Sequence, residues 1–374
     1  MTSILCILNG GMGDQILALP ALKYLTSALP GARLEVRISG WKLRHKLFRL
    51  LSAGCSLTIN SLEALQRQPR RRAASFSYDV IVDFDTRDSP YGAVPLPCLK
   101  AGRAYFSFAD EWRIENQVSL ELYDASGSPF WQRCFEMGFR AACLVKGRAY
   151  ARNELLACRD EFRSVSLTPA PPPTRRRIKR LLPTSRADRP RLAVTPGGYN
   201  PPYKCWPIER FAEVIGHALS SGADVFVLNS RAEAHLACQL EELMAARSST
   251  WHKKGAGKLT FVNGKLALEE LPHFIQEIDL HLSNDNGVAH LCGILGRAQV
   301  VLYRGIASPH LSVGFNDVAL FSGDNTSMQA ISTAEVIETL DQILRLRVSK
   351  IADHAGGIAR NSFSPNCSRY AAEK

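Results

Sequence analysis

Three short segments combine glycines with charged or amide side chains in patterns that can hold an anion or move a proton. The first is Asn9-Gly10-Gly11-Met12-Gly13-Asp14-Gln15. Its glycines do not form a dinucleotide fingerprint. Counted from Gly11, the last glycine would have to stand at Ile16, and counted from Gly10 the middle one would have to stand at Met12. What the segment offers is one carboxylate, Asp14, at the start of a helix. Two roles are open to it: capping orphan N–H groups of that helix, or accepting a proton as a general base.

The second segment is Thr195-Pro196-Gly197-Gly198-Tyr199, with Lys204-Cys205-Trp206-Pro207 close behind. Glycines after a strand let backbone N–H groups approach an anion, and a nearby lysine can neutralise a phosphate. The competing reading is a tight turn followed by a surface lysine. The third segment is Ser283-Asn284-Asp285-Asn286-Gly287-Val288-Ala289-His290. It lies between a strand and a helix, so the N–H groups of Asn286, Gly287 and Val288 are expected to line a positive helix terminus that favours phosphate. His290 falls on the first turn of that helix, where it could serve a ligand or simply pack.

The elements that must position these segments follow from hydrophobic periodicity. Ile4–Leu8 is an apolar strand that runs into the first glycine loop. Apolar residues from Ile16 to Leu29 recur at helical spacing until Pro30-Gly31, and Leu34–Ile38 alternates as a strand. Tyr78–Phe84 predicts another buried strand, whereas residues 96–165 read as mixed and partly helical. Beyond residue 190 the alternation resumes. Strands are predicted at 191–195, 224–228, 280–282 and 299–303, and helices at 209–220, 232–246, 268–275, 288–295 and 333–346. Such a pattern predicts α/β architecture with parallel sheets, which bind ligands at the carboxyl ends of their strands.

A chain of 374 residues is too long for one core, because single cores stop growing near roughly 250–300 residues. The expected division is a first domain over 1–170, a connector over 171–190, a second domain over 191–346 and a tail over 347–374. Leu167–Pro190 carries six prolines and a basic run, a composition suited to a connector. The net charge of +11 is uneven. Residues 1–170 hold 22 Lys+Arg against 16 Asp+Glu, residues 171–190 hold 7 against 1, and residues 191–374 hold 17 against 18. Dense spots lie at 42–46, 67–72 and 175–180. They fit a solvated surface, or an anionic membrane or substrate. No helix-turn-helix, RNP-like or finger pattern accompanies them, so nucleic acid is not an expected partner. No apolar run reaches the roughly 18–20 residues of a spanning helix, and Met1–Leu8 reads as a strand rather than a signal peptide. Ten cysteines are scattered without CxxC pairs, which predicts free thiols and a cytoplasmic protein.

Four motifs in order resemble glycosyltransferase family 9, the ADP-heptose:lipopolysaccharide heptosyltransferases. Residues 10–22 are similar to the family's opening motif. Pro196-Gly197-Gly198 followed by Lys204–Glu213 is similar to its PG…K-x-WP-x-E-x-F segment. Residues 263–271 and 283–296 are similar to its GKTSLxEL and NDSGPMHLAAALG stretches. Asp79–Phe84 is similar to the strand before its DLQG turn. The resemblance implies a GT-B fold, two Rossmann-like domains with parallel sheets facing across a cleft, the first taking the acceptor and the second the nucleotide sugar.

It further implies an inverting heptosyl transfer from ADP-heptose to a lipopolysaccharide inner-core or related glycan acceptor, with no metal and no cofactor beyond the donor. The basic half would face an anionic glycolipid at the inner membrane, where the protein would be peripheral. By position, Asp14 matches the base and Lys204 the lysine on the diphosphate. Thr195, Gly197, Gly198, Asp285, Asn286, Gly287 and His290 match the donor side, with Glu233 near the ribose and Leu266 at the adenine. Gly11, Gly13, Asp83 and Asp85 fall on the acceptor side. The chain departs from the family pattern in three places: Asn286 stands for the usual Ser or Thr, Asp85-Thr86 for Gln-Gly, and Tyr303-Arg304-Gly305-Ile306 for the FGPT loop. The four-cysteine iron finger of protein-modifying relatives is not visible. A sugar-nucleotide enzyme of another class, such as an epimerase, and a non-catalytic nucleotide-binding descendant are the alternatives.

Overall fold

The computed structural model describes residues 1–66, 76–84, 99–108, 117–119, 129–182, 189–198, 204–247, 255–305, 314, 317–322 and 327–355. Among the described residues twelve strands form two sheets. In the first half these are β1 (Ser3–Leu8), β2 (Arg33–Ile38), β3 (Thr58–Ser61), β4 (Phe76–Asp83), β5 (Leu99–Ser107) and β6 (Gln117–Ser119). The second half contributes β7 (Arg191–Thr195), β8 (Asp224–Val227), β9 (Leu259–Phe261), β10 (Leu280–Asn284), β11 (Ala298–Tyr303) and β12 (Asp317–Phe321).

The helices are α1 (Met12–Leu17), α2 (Leu19–Ala28), α3 (Trp41–Leu51), α4 (Leu62–Gln66), α5 (Phe130–Val145), α6 (Arg152–Arg159), α7 (Pro172–Leu181), α8 (Ile208–Ser220), α9 (Ala234–Ala246), α10 (Leu271–Ile275), α11 (Gly287–Ile294) and α12 (Thr333–Ala355).

The first sheet has strand order β3-β2-β1-β4-β5-β6 and the second β12-β11-β10-β7-β8-β9. Every pairing in both is parallel. Read from β9, the second sheet repeats the topology of the first, the doubly wound order in which connections reverse direction beside the first strand of each half. The central strands β1, β7, β10 and β11 are almost wholly buried, as parallel strands covered by helices on each side must be. The reversal points lie between β1 and β4 and between β7 and β10. All three glycine-containing segments therefore leave the sheets at reversal points, where diverging connections open a crevice.

The two halves are packed together. The first half's core, with Ile4, Leu17 and Leu22, runs on into Leu291, Cys292 and Ile294 of α11. The Val165 N–H donates to the Ile294 carbonyl at 2.8 Å, and Lys46 of α3 pairs with Glu269 at 3.2 Å. The eight cysteines among the described residues are free.

Two expectations need correction. The composition of the connector 171–190 disfavours a packed core, but Pro172–Leu181 is helical and buries Thr174 and Ile178. Ile178 packs with Phe226 and Phe274 of the second half, and Glu270 accepts from the Thr174 hydroxyl at 3.1 Å and from Arg177 at 2.6 Å. Prolines in the first turn are compatible with a helix start, since those N–H groups have no helical partner. The spacing of Thr174 and Ile178 supplies a one-sided seam beneath an otherwise basic surface. The closing helix also continues past 346 to Ala355.

Candidate active site

The opening loop is held rigidly from behind. Buried Gln15 donates to the carbonyls of Leu8, Gly10 and Ser39 at 3.4, 3.3 and 3.0 Å. Arg44 donates to the Gly10 carbonyl at 2.8 Å. Neither residue stood out in the sequence; a polar glutamine directly before the apolar register that opens at Ile16 was the available signal. On this loop Asp14 lies in the first turn of α1, and its Oδ2 accepts the Gly11 N–H at 2.7 Å. The capping role is therefore present. A cap uses one lone pair, so the carboxylate retains capacity to accept a proton.

α1 meets α11 N-terminus to N-terminus. A Cβ on Gly13 would lie 2.6 Å from His290 Cδ2, and one on Gly287 would lie 2.5 Å from Met12 Cε. At Gly13 the neighbour is a buried imidazole ring, so glycine there lets the two helix ends come this close, whereas at Gly287 the neighbour is the mobile end of a methionine. Two partial positive charges then face one crevice, an arrangement that favours an anion.

The second half builds its side of the crevice around Asn284, which is fully buried. Its Nδ2 donates to the Pro196 carbonyl at 2.7 Å and its Oδ1 accepts the Trp206 N–H at 3.0 Å. The Trp206 indole donates to the Ile331 carbonyl at 2.9 Å. One amide thus clamps the Pro-Gly-Gly loop to the Lys204 segment, and Lys204 is placed two residues before an anchored tryptophan. Sequence reasoning passed over Asn284, although an amide ending a strand of buried residues is the kind of residue that needs internal partners. Asn284→Ala is expected to lower stability by about 2–6 kcal/mol, since it strands two buried backbone groups at about 1–3 kcal/mol each. A smaller loss in chemical denaturation would deny Asn284 this clamping role.

Asn286 caps α11: its Oδ1 accepts from Val288 N at 2.9 Å and Ala289 N at 3.1 Å, while its Nδ2 donates to the Gly197 carbonyl at 3.0 Å. This corrects one expectation. The Val288 N–H is consumed inside the protein, so the terminus offers an anion fewer donors than the three expected. Asp285 sits between Lys204 (Oδ2 to Nζ 3.7 Å) and His290 (Oδ1 to Nε2 3.5 Å). Its negative charge orients those two groups rather than holding a phosphate directly.

Thr195 is corrected in the same way. Gln299 Nε2 donates to the Ala289 carbonyl at 2.9 Å, so its Oε1 is the atom that faces His281 Nδ1 at 3.3 Å. That makes Nδ1 the protonated nitrogen and Nε2 the acceptor for the Thr195 hydroxyl at 2.9 Å. Burial brings His281 down to about 4, which keeps it neutral at physiological pH. The Thr195 proton therefore points inward and is not offered to an anion.

Thr195, Gly198, Glu233, Leu266, Asn286 and Gly287 line a cavity of about 760 Å³, with Met12 and Leu43 of the first half on its rim. That volume suits a nucleotide-sized ligand. The Glu233 carboxylate lies over Gly197, where a Cβ would overlap it, and accepts the Ser230 N–H at 3.0 Å. Burial, with Glu233 as a lesser cause, raises the Cys205 thiol beside the cavity to about 11. Cys205 is thus a neutral packing group. Asp83 is buried and accepts from the Tyr105 hydroxyl at 2.7 Å. It shares a strand face with Ile81, which packs with Tyr105 on the opposite side of the sheet from α1. Asp85 lies outside the described residues, and Gly11 is the N-cap of α1.

With this geometry in place, the sequence profile of glycosyltransferase family 9 (heptosyltransferase) matches residues 77–326. The chain belongs to glycosyltransferase family 9. Among solved structures, the fold is similar to Escherichia coli ADP-heptose LPS heptosyltransferase II at a TM-score of 0.63 and 18% identity, covering 93% of this chain and 99% of that one. The glycosyl transferase family 9 protein from Veillonella parvula gives 0.65 and 16%, covering 92% and 97%. The E. coli heptosyltransferase WaaC with ADP-2-deoxy-2-fluoro heptose gives 0.56 and 16%, covering 91% and 99%. Comparison with curated proteins returns no match. These likenesses establish the GT-B fold of this family 9 glycosyltransferase: two parallel-sheet α/β halves with the crevice between them.

Proposed function

We propose that this glycosyltransferase moves a heptose from ADP-heptose, with inversion at the anomeric carbon, onto the inner core of a lipopolysaccharide or a related anionic glycan, using neither a metal nor a resident cofactor. The observation that carries the reading is the meeting of two helix N-termini, Met12–Gly13 and Gly287–His290, beside a nucleotide-sized cavity and Lys204. The similar WaaC structure holds an ADP-heptose analogue. In this reading the acceptor oxygen forms a bond to the anomeric carbon as the carbon–oxygen bond to the diphosphate breaks. The acceptor proton passes to Asp14, and the electron pair leaves with the β-phosphate, whose charge Lys204 neutralises. Glu233 and Leu266 hold the nucleoside. Incubating the protein with ADP-heptose and a heptose-deficient acceptor, followed by mass spectrometry, is expected to show an acceptor heavier by one heptose and released ADP. An isomerised nucleotide sugar without acceptor, or binding without turnover, would overturn the reading. Parallel reactions with UDP- and GDP-sugars fix the donor.

We further propose that the acceptor is met at the cytoplasmic face of an anionic membrane. Among the described residues no helix is long and apolar enough to cross a bilayer, so contact would be peripheral. Lys42 on α3 and Arg175, Arg176, Lys179 and Arg180 on α7 are exposed, whereas Lys46 is engaged by Glu269 and Arg177 by Glu270. The cluster at 67–72 lies outside the described residues. Each exposed cation near an acidic surface is worth about 1 kcal/mol. Binding to vesicles containing acidic lipid is therefore expected to weaken steeply as salt rises through about 0.1 M. Equal retention on neutral vesicles would remove the proposal.

A further inference from the structure

Arg44 reaches back from α3 to the loop that carries Asp14. It follows Gly40, whose backbone is left-handed at φ +65° and whose N–H donates to Glu63 Oε1 at 2.6 Å. A Cβ on Gly40 would lie 3.0 Å from the guanidinium carbon of Arg44. Glycine there meets two demands at once, a conformation that L side chains rarely adopt and room for the returning arginine. The guanidinium donates to the Gly10 carbonyl at 2.8 Å. Ser39 Oγ at 3.1 Å and Gln15 Nε2 at 3.3 Å donate to the same oxygen, and of these three donors Arg44 alone is charged. The other end of that peptide unit is the Gly11 N–H, which donates to Asp14 Oδ2 at 2.7 Å. Gly10 also packs directly on the carboxylate, since a Cβ there would fall 2.5 Å from Oδ2.

The geometry points to Arg44 as a positioning residue for the general base, acting on Asp14 through the single peptide unit Gly10–Gly11. This rests on the base reading above and deepens it. Donors on a carbonyl polarise the amide and strengthen the bond its N–H donates, because hydrogen bonds in a chain reinforce one another. A charged donor does so most. The arginine fixes the plane of the peptide and tightens its hold on Oδ2, and so sets where the carboxylate stands when the acceptor hydroxyl arrives. Its helix gives the donor cavity Leu43, whereas Arg44 is not among the cavity's lining residues. Its effect is therefore expected on the transfer step and not on donor binding.

The test is a double-mutant cycle on the full chain, read as the single-turnover rate of sugar transfer, with dissociation constants for ADP beside it. Arg44→Met is expected to slow transfer by about ten- to a hundredfold, the scale of a misplaced reacting group, with ADP affinity unchanged. Arg44→Lys can still set a charged donor on the Gly10 carbonyl and is expected to recover most of that loss. In an Asp14→Asn background, Arg44→Met is expected to cost less than about threefold, since the group it positions no longer takes a proton and the two losses cannot add. Equal losses in both backgrounds would overturn the inference and leave the base reading intact; a general loss of structure, or an arginine that contacts the acceptor directly, gives that result. A rate unchanged by Arg44→Met would overturn it as well. If Asp14→Asn itself transfers at the wild-type rate, both readings fall together. Should Arg44→Met fail to fold, Arg44→Gln, which keeps a hydrogen-bonding end without the charge, takes its place in the same cycle.

Discussion

Asp14→Asn is expected to slow sugar transfer by about 10²–10⁴ while leaving fold and donor affinity in place. An acceptor hydroxyl is a poor nucleophile, and a positioned carboxylate that removes its proton as the new bond forms contributes that factor. The structure makes asparagine a clean probe of this role. Asp14 Oδ2 accepts the Gly11 N–H at 2.7 Å, and an asparagine oxygen can accept the same bond. The cap survives, and at most about 1 kcal/mol of helix stability is at stake. Gly10 lies so close to the carboxylate that a Cβ there would fall 2.5 Å from Oδ2, so a side chain of unchanged size is also needed. The checking measurement is single-turnover transfer beside a melting curve. Normal transfer in Asp14→Asn would leave Asp14 a cap alone and reassign the base to Asp85, since Asp83 is turned to the other face of the sheet.

The second large effect is expected at Lys204. Lys204→Ala should lower turnover by about 10²–10³, because its charge is needed most as the leaving diphosphate gains negative charge. Stability should hardly change. The Lys204–Asp285 distance is 3.7 Å and the lysine side chain is 38% exposed, and an ion pair of that kind contributes about 0–1 kcal/mol. The loss should therefore appear in kcat with little change in Tm. A variant with near-normal kcat would make Lys204 a surface lysine after all, and one that unfolds would make Trp206 and Asn284, rather than the charge, the reason for the segment.

What could be read from sequence and what could not divides by distance along the chain. Strands such as Ile4–Leu8 and helices such as Glu209–Ser220 declare themselves through neighbours a few residues away, and the glycine loops are visible because they interrupt those periods. The role of Thr195 depends on His281, 86 residues on, and nothing local shows that its hydroxyl is turned inward. Asn286 was legible as a polar residue at a helix start, but its claim on the Val288 N–H depends on a side-chain rotamer that Gly197 helps to fix. The helix Pro172–Leu181 was hidden because proline content outweighed a two-residue seam, Thr174 and Ile178, whose partners Glu270 and Phe226 lie far along the chain.

The continuous core has a consequence for how such enzymes diversify. Leu291, Cys292 and Ile294 belong to the second half by topology but to the first half by packing. Fully burying one such side chain is worth about 1.5–3 kcal/mol. A second half grafted from a relative would inherit its loops but not this seam, and its counterpart of His290 would have to fit against Gly13. New donor specificities in this lineage are therefore more accessible by changing cavity side chains in place than by recombining halves, and chimeras cut at the connector will need both faces of the seam transplanted together.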